Sequence, residues 1–138
     1  MKAVEISEKM GSEIELFHVI EPVRLPYVMY PYAMNPGANV DPASPGWVSD
    51  YYKSYHKENE KMLQKIFEET KRKHSGLTIT KKIVEGLPAT EIVTEAENGG
   101  FDLITVGARG LGFVEELLLG STSDLVVDRS PIPVLVVK

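Results

Sequence analysis

Apolar residues recur along the chain at two periods, and the two periods alternate. Ala3, Ile6 and Met10 fall three and four residues apart, with Lys2, Glu5, Glu8 and Lys9 on other faces. That spacing predicts a helix over Met1–Met10, closed by Gly11. No Ser, Thr, Asp or Asn precedes Lys2 to cap its start, so the expectation is of a chain that opens inside an element. Ile14-Glu15-Leu16-Phe17-His18-Val19-Ile20 is a short apolar run with little alternation, the pattern of a strand covered on both faces in a parallel sheet. Glu21-Pro22 ends it.

A second helix is predicted from Ser49 to His74, with Tyr55, Met62, Ile66 and Phe67 as its apolar face and Gly76 beyond its end. Glu68 with Arg72, and Glu69 with Lys73, are i, i+4 pairs on its wet side. Thr78–Glu85 reads as a strand, edge-like because it contains Lys81 and Lys82. Gly86-Leu87-Pro88 opens a third helix, in which Ala89, Ile92, Val93 and Ala96 keep helical spacing up to Gly99-Gly100. A strand over Phe101–Val106 then runs into the turn Gly107-Ala108-Arg109-Gly110-Leu111-Gly112. Helical sequence from Phe113 to Leu119 is interrupted by Gly120-Ser121-Thr122-Ser123 and resumes over Asp124–Arg129. After Ser130-Pro131-Ile132-Pro133 comes a last strand, Val134–Val137. Strands and helices in alternation predict an α/β fold, a doubly wound parallel sheet with right-handed crossovers. No internal repeat or linker interrupts it, and 138 residues make one domain.

Between the first strand and the second helix, residues 21–47 break the pattern. Six prolines (Pro22, Pro26, Pro31, Pro36, Pro42, Pro45) and three tyrosines (Tyr27, Tyr30, Tyr32) fall there without periodicity. A loop of this length is a variable insertion, or a lid or subunit contact using the tyrosines with Met29 and Met34.

Charge narrows the function. Acids outnumber bases 20 to 15, for a net charge of −5, the opposite of what a nucleic-acid backbone selects. No apolar run is long enough to cross a bilayer and the start lacks signal-peptide features, so no membrane partner and a cytoplasmic location are expected. Enzyme templates fail one after another. There is no cysteine, and His18, His56 and His74 have no metal-ligand spacing; His18, within a strand, is expected to be a hydrogen-bonded core residue. The G-x-S-x-G elbow and the Walker A pattern are both missing.

What remains is the glycine-rich turn after Val106, at the carboxyl end of a parallel strand where open α/β sheets bind ligands. Ser121 with Asp124 three residues on has capping-box chemistry for a new helix start, which offers unpaired N–H groups and a positive dipole end to an anion. Two such turns at one sheet end could enclose a phosphate chain, or they could simply join strands to helices.

These residues resemble the nucleotide-binding universal stress proteins. Gly107-x-x-Gly110, nine residues, then Gly120-Ser121 is that family's G-x-x-G-x9-G-[ST] pattern. The resemblance continues through Leu16-Phe17-His18-Val19-Ile20-Glu21, Gly86-Leu87-Pro88 and Pro133-Val134-Leu135-Val136-Val137, nearly the whole chain apart from the Pro/Tyr loop. It implies the flavodoxin-like, adenine nucleotide-binding form of the doubly wound sheet, with strand order 3-2-1-4-5. It implies ATP, with or without Mg, held by Val106, Gly107, Gly110, Gly120, Ser121 and Thr122, with Val19 lining the adenine pocket. Arg109 either adds charge to the phosphate site or is a solvated arginine. The implied role is a stress-response binding and signalling module with at most weak ATP hydrolysis, since no general base or activated nucleophile stands near the glycine turns. The alternative is a protein interaction module that binds no nucleotide. Members of the family commonly dimerise through the last strand, here Val134 to Val137.

The sequence departs from the family at its start. Universal stress proteins normally open with a strand resembling I-L-V-P-x-D-G-S, central in the sheet, whose aspartate contacts the nucleotide; here that strand is missing, an N-terminally incomplete domain. The gap would lie between the Ile14 and Phe101 strands. Unpaired backbone groups in an interior cost about 1–3 kcal/mol each, so the gap calls for one of three arrangements. The native protein begins upstream, the expectation we favour; or the sheet closes up directly; or a partner chain supplies the pairing.

Overall fold

The computed structural model describes residues 1–22, 46–108 and 120–138. Its elements are α1 (Lys2–Met10), β1 (Ile14–Ile20), α2 (Gly46–Lys73), β2 (Ile79–Glu85), α3 (Pro88–Asn98), β3 (Ile104–Gly107), α4 (Ser121–Arg129) and β4 (Val134–Val137). The expected helix over Phe113–Leu119 lies outside the described residues, as does most of the Pro/Tyr loop. That loop ends earlier than expected, because Gly46 and Trp47 already belong to α2.

Every strand pair is parallel, as the strand–helix alternation requires. β1 pairs with β2 from Ile14↔Ile79 to Ile20↔Glu85, and β3 pairs with β4 from Ile104↔Val134 to Gly107↔Val137. Among the described residues the two pairs share no ladder. Direct closure of β1 on β3 is therefore not the arrangement adopted, and a cleft separates them. β3 also starts three residues later than its apolar run, since Asp102 and Leu103 are exposed and Phe101 turns back against Gly99.

Helices cover both faces. His18 on β1 donates from Nε2 to Asn59 Oδ1 on α2 at 2.7 Å, and Asn59 Nδ2 donates to the Tyr55 carbonyl. The expected core histidine is thus satisfied by a helix-borne amide. α1 lies beside the end of α2, where His74 Nδ1 donates to Glu8 Oε1 at 2.6 Å. α1 ends as expected, with Gly11 at φ 66°, a conformation that costs a residue with a Cβ about 1 kcal/mol or more. Its buried residues are Val4 and Ser7, and Met10 is 74% exposed.

The apolar face read from sequence for α2 needs correcting. Among the described side chains Leu63 is the one it buries, at 6% exposure, while Met62 and Ile66 are 44% and 40% exposed. The seam runs through half-buried Tyr55, Asn59, Phe67, Thr70 and His74. Polar residues occupy it because each finds a partner: Asn59 through His18, Thr70 through the Ile66 carbonyl, His74 through Glu8.

On the opposite face α3 and α4 pack together over β3. Ala89, Ala96, Ile104 and Val126 form the buried cluster, with Ile92, Val106, Ile132 and Val134 around it. α3 reaches across to the first strand pair, where Lys82 donates to Glu95 at 2.5 Å. Glu15 on β1 also faces this helix, and its Oε1 is buried without a hydrogen-bond partner among the described residues. Burial raises the Glu15 carboxyl above its ordinary value; the Glu95 charge adds to the shift and Lys82 opposes it. A carboxyl raised on folding contributes stability below its unfolded value, and that contribution is lost as pH rises through the folded value. Glu15→Gln is accordingly expected to melt above the parent at neutral pH, with the difference shrinking on acidification through the carboxylate range. Equal melting curves at every pH would show that Glu15 is well solvated.

Candidate functional site

The two glycine-bearing turns meet at one backbone atom. β3 ends at Gly107, and buried Ala108 continues its ladder by donating its N–H to Val137 O at 2.7 Å. The carbonyl of Ala108 then receives the Gly120 N–H at 2.7 Å and the Ser123 hydroxyl at 3.3 Å. Residues 12 and 15 positions apart in the chain are clasped together, and the start of α4 is held against the carboxyl end of β3.

Gly120 is the N-cap of α4, and no side chain caps the helix. The Ser121–Asp124 capping box is corrected on this point: Ser121 is the first helical residue and is exposed. Gly120 is the cap because its backbone is extended while its carbonyl already accepts the Asp124 N–H. Ser123, 4% exposed, closes the turn from inside, its hydroxyl also lying 2.9 Å from the Gly120 carbonyl. Sequence reasoning did not single out Ser123 or Ala108. The available signal was the third hydroxyl in Gly120-Ser121-Thr122-Ser123.

The first intrahelical bond of α4 runs from Asp124 N–H to Gly120 O at 2.9 Å. The N–H groups of Ser121, Thr122 and Ser123 precede it and have no place in the helical ladder. With the hydroxyls of exposed Ser121 and half-buried Thr122, they form a donor set suited to phosphate oxygens, reinforced by the helix dipole. Exposed Gly107 and half-buried Val106 end β3 beside them, and half-buried Val19 stands at the carboxyl end of β1, across the cleft. Arg109 and Gly110 lie outside the described residues. Among the described residues no group of three His, Cys, Asp or Glu could hold a metal ion, and no helix is long and apolar enough to cross a membrane. The donors suit an anionic ligand.

Comparison with known proteins gives a consistent set of relatives. The model of the Universal stress protein family matches residues 1–138. Universal stress protein MJ0531 of Methanocaldococcus jannaschii is 36% identical over 114 residues, 81% of this chain and 64% of that protein. Universal stress protein MJ0577 of the same organism is 36% identical over 100 residues, 66% of this chain and 62% of that protein. The matches thus span less than two thirds of these curated relatives' lengths. Among solved structures, universal stress protein UspA from Lactobacillus plantarum superposes with a TM-score of 0.74 at 19% identity, covering 99% of this chain and 85% of that one. The MJ0577 structure gives 0.70 at 26% identity with the same coverage. A universal stress protein solved in complex with cAMP gives 0.53 at 20% identity, over 99% of this chain and 81% of that one.

Proposed function

The chain belongs to the universal stress protein family, and from that premise we propose that it binds ATP at the carboxyl ends of β1 and β3 and acts as a stress-response binding and signalling module rather than as a catalyst. The observation that carries this reading is the clasp at Ala108, which joins the two halves of the G-x-x-G-x9-G-S pattern and leaves the N–H groups of Ser121, Thr122 and Ser123 outside the helical ladder. Backbone N–H groups at a helix start favour phosphate without further machinery. In this reading Gly120, Ser121 and Thr122 hold phosphates and ribose with Val106, Gly107 and Gly110, Arg109 adds charge, and Val19 borders the adenine. The relative solved with cAMP supports an adenine nucleotide as the ligand class. A cytoplasmic homodimer is part of the proposal, paired through β4. Among the described residues that strand bonds only to β3, and by ladder alternation Val134 and Val136 direct their backbone groups to its outer edge.

The test begins with protein purified without added nucleotide. Adenine absorbance in the supernatant after denaturation, or a melting temperature that rises with ATP concentration as mass action requires, is the expected outcome. With neither, the nucleotide reading fails and the interaction-module reading takes its place. Multiple-turnover ADP release above background would overturn the non-catalytic part alone.

A further inference from the structure

The basic residues of the chain are not spread evenly. Between residues 53 and 82 nine bases stand against four acids, a local charge of +5 in a chain whose net charge is −5. Four of those bases, Lys53, Lys57, Lys61 and Lys65, repeat at every fourth residue of α2, and all four are exposed. Residues at that spacing stand one above the next on a helix, about 6 Å apart along its axis, so the four make a single ridge about 18 Å long. Lys61 and Lys65 are two residues either side of buried Leu63, which the helical period places on the opposite side. The ridge therefore crowns the outer face of α2, and exposed Arg72 continues it seven residues beyond Lys65.

Like charges four residues apart on a helix repel, and the fold leaves these without counterions. Among the described residues the ion pairs engage Lys2, His56, His74 and Lys82, none of them on the ridge. Glu68 is bound by the amide of Gln64 at 2.6 Å rather than by a cation. The helix dipole accounts for Lys71, Arg72 and Lys73 in the last turn, and not for the lysines well before it. Near that end Lys71 and Lys81 place their ammonium groups 5.4 and 5.7 Å from the Phe67 ring centroid, which carries the basic surface across to β2. The surface is also narrow. Glu58 and Glu69 border the ridge on one side, Glu60 and Glu68 on the other. A broad array of phosphates, such as a bilayer or a nucleic-acid duplex, would be pressed against those carboxylates, whereas a slender segment would touch the lysines alone.

We infer that the lysine ridge of α2 is a docking surface for an acidic helical segment of a partner protein, with carboxylates at every fourth residue. Such a segment repeats its charges at the same spacing of about 6 Å as the ridge, so each carboxylate meets one lysine. Complementarity of this kind sets register and speeds encounter more than it tightens the complex, and contact at an exposed surface weakens with salt. α2 covers the sheet face opposite α3 and α4, so this surface is separate from the donors at the start of α4, and the inference does not rest on nucleotide binding.

The probe is an end-capped, alanine-based peptide of about 16 residues, long enough to follow the ridge, with glutamate at every fourth position. Added to the isotopically labelled chain, it is expected to move the amide signals of α2 between Lys53 and Arg72 saturably, and to leave those of Ser121 and Thr122 in place. Exchanging Lys61→Glu and Lys65→Glu together should weaken binding by about tenfold or more. Circular dichroism checks that this variant folds, and a twin peptide with lysine in place of glutamate should then bind it better than the parent chain. A second twin with the same glutamates gathered at one end should bind several-fold more weakly than the first peptide. No saturable shift with millimolar peptide overturns the inference. Equal affinity for the gathered twin does so too, since it would mean charge attraction without register. If vesicles of phosphatidylserine and phosphatidylcholine move the same amides and the peptide does not, the surface serves a lipid and the assignment to a protein segment is wrong.

Discussion

Val126→Asp is expected to leave the chain unfolded at room temperature, with loss of the dispersed amide spectrum and of the cooperative melting transition. Val126 has 0% exposure and lies in the cluster of Ala89, Ala96 and Ile104, where α3, α4 and β3 meet. Removing the apolar side chain forfeits about 1.5–3 kcal/mol. A carboxylate placed there has no cation in the cluster, and burying it or forcing its protonation costs several kcal/mol more. Together these approach the whole stability of a small domain, about 5–15 kcal/mol. The milder Val126→Ala should fold and lose about 2 kcal/mol in urea denaturation. A folded aspartate variant with an unchanged urea midpoint would mean that α4 does not close this core.

Gly120→Val is expected to weaken ATP binding by about a hundredfold or more while the chain still folds. Gly120 has φ −73° and ψ 156°, an extended conformation open to any residue, so the substitution carries no backbone strain. Its N–H remains bonded to Ala108. What is expected to change is access, because a branched side chain at the N-cap crowds the approach of an anion to the first N–H groups of the helix. Losing two charge-assisted hydrogen bonds at about 1.5–3 kcal/mol each corresponds to at least two decades in the dissociation constant. Calorimetric titration reads the affinity and circular dichroism the fold. A folded variant with parental affinity would remove the start of α4 from the nucleotide site.

Much of the architecture was legible because apolar period tracks element type. β1, β2, β4 and α3 fall within a residue or two of their expected bounds, each bracketed by a glycine, proline or charged turn. The helix faces were harder to read for a physical reason. α2 places Asn59 on its inner side, and the chain just past its end places His74 there, where each meets a partner distant in sequence; counting apolar residues shifts the face toward Met62 and Ile66. Ser7 does the same in α1. At the candidate site the spacing identified both turns, yet the cap could not be assigned from it. The Ser-x-x-Asp pattern favoured Ser121, and only the bond from Gly120 N–H to Ala108 O, with Ser123 behind it, moves the helix start. The division of the sheet among the described residues falls between β1 and β3, where the sequence led us to expect a gap.

That division also bears on cooperativity. α1, β1, α2 and β2 come from residues 1–85 and complete one ladder; α3, β3, α4 and β4 come from residues 88–138 and complete the other. Sequence neighbourhood and spatial neighbourhood coincide, so each half can form through comparatively local contacts. A cooperative unit normally follows such boundaries, and here α3 crosses the boundary. It carries Ala89 and Ala96 of the second half's core and holds Lys82 of the first half through Glu95. Among the described residues, α3, a helix of 11 residues, is thus a link that favours opening of the two halves as one body.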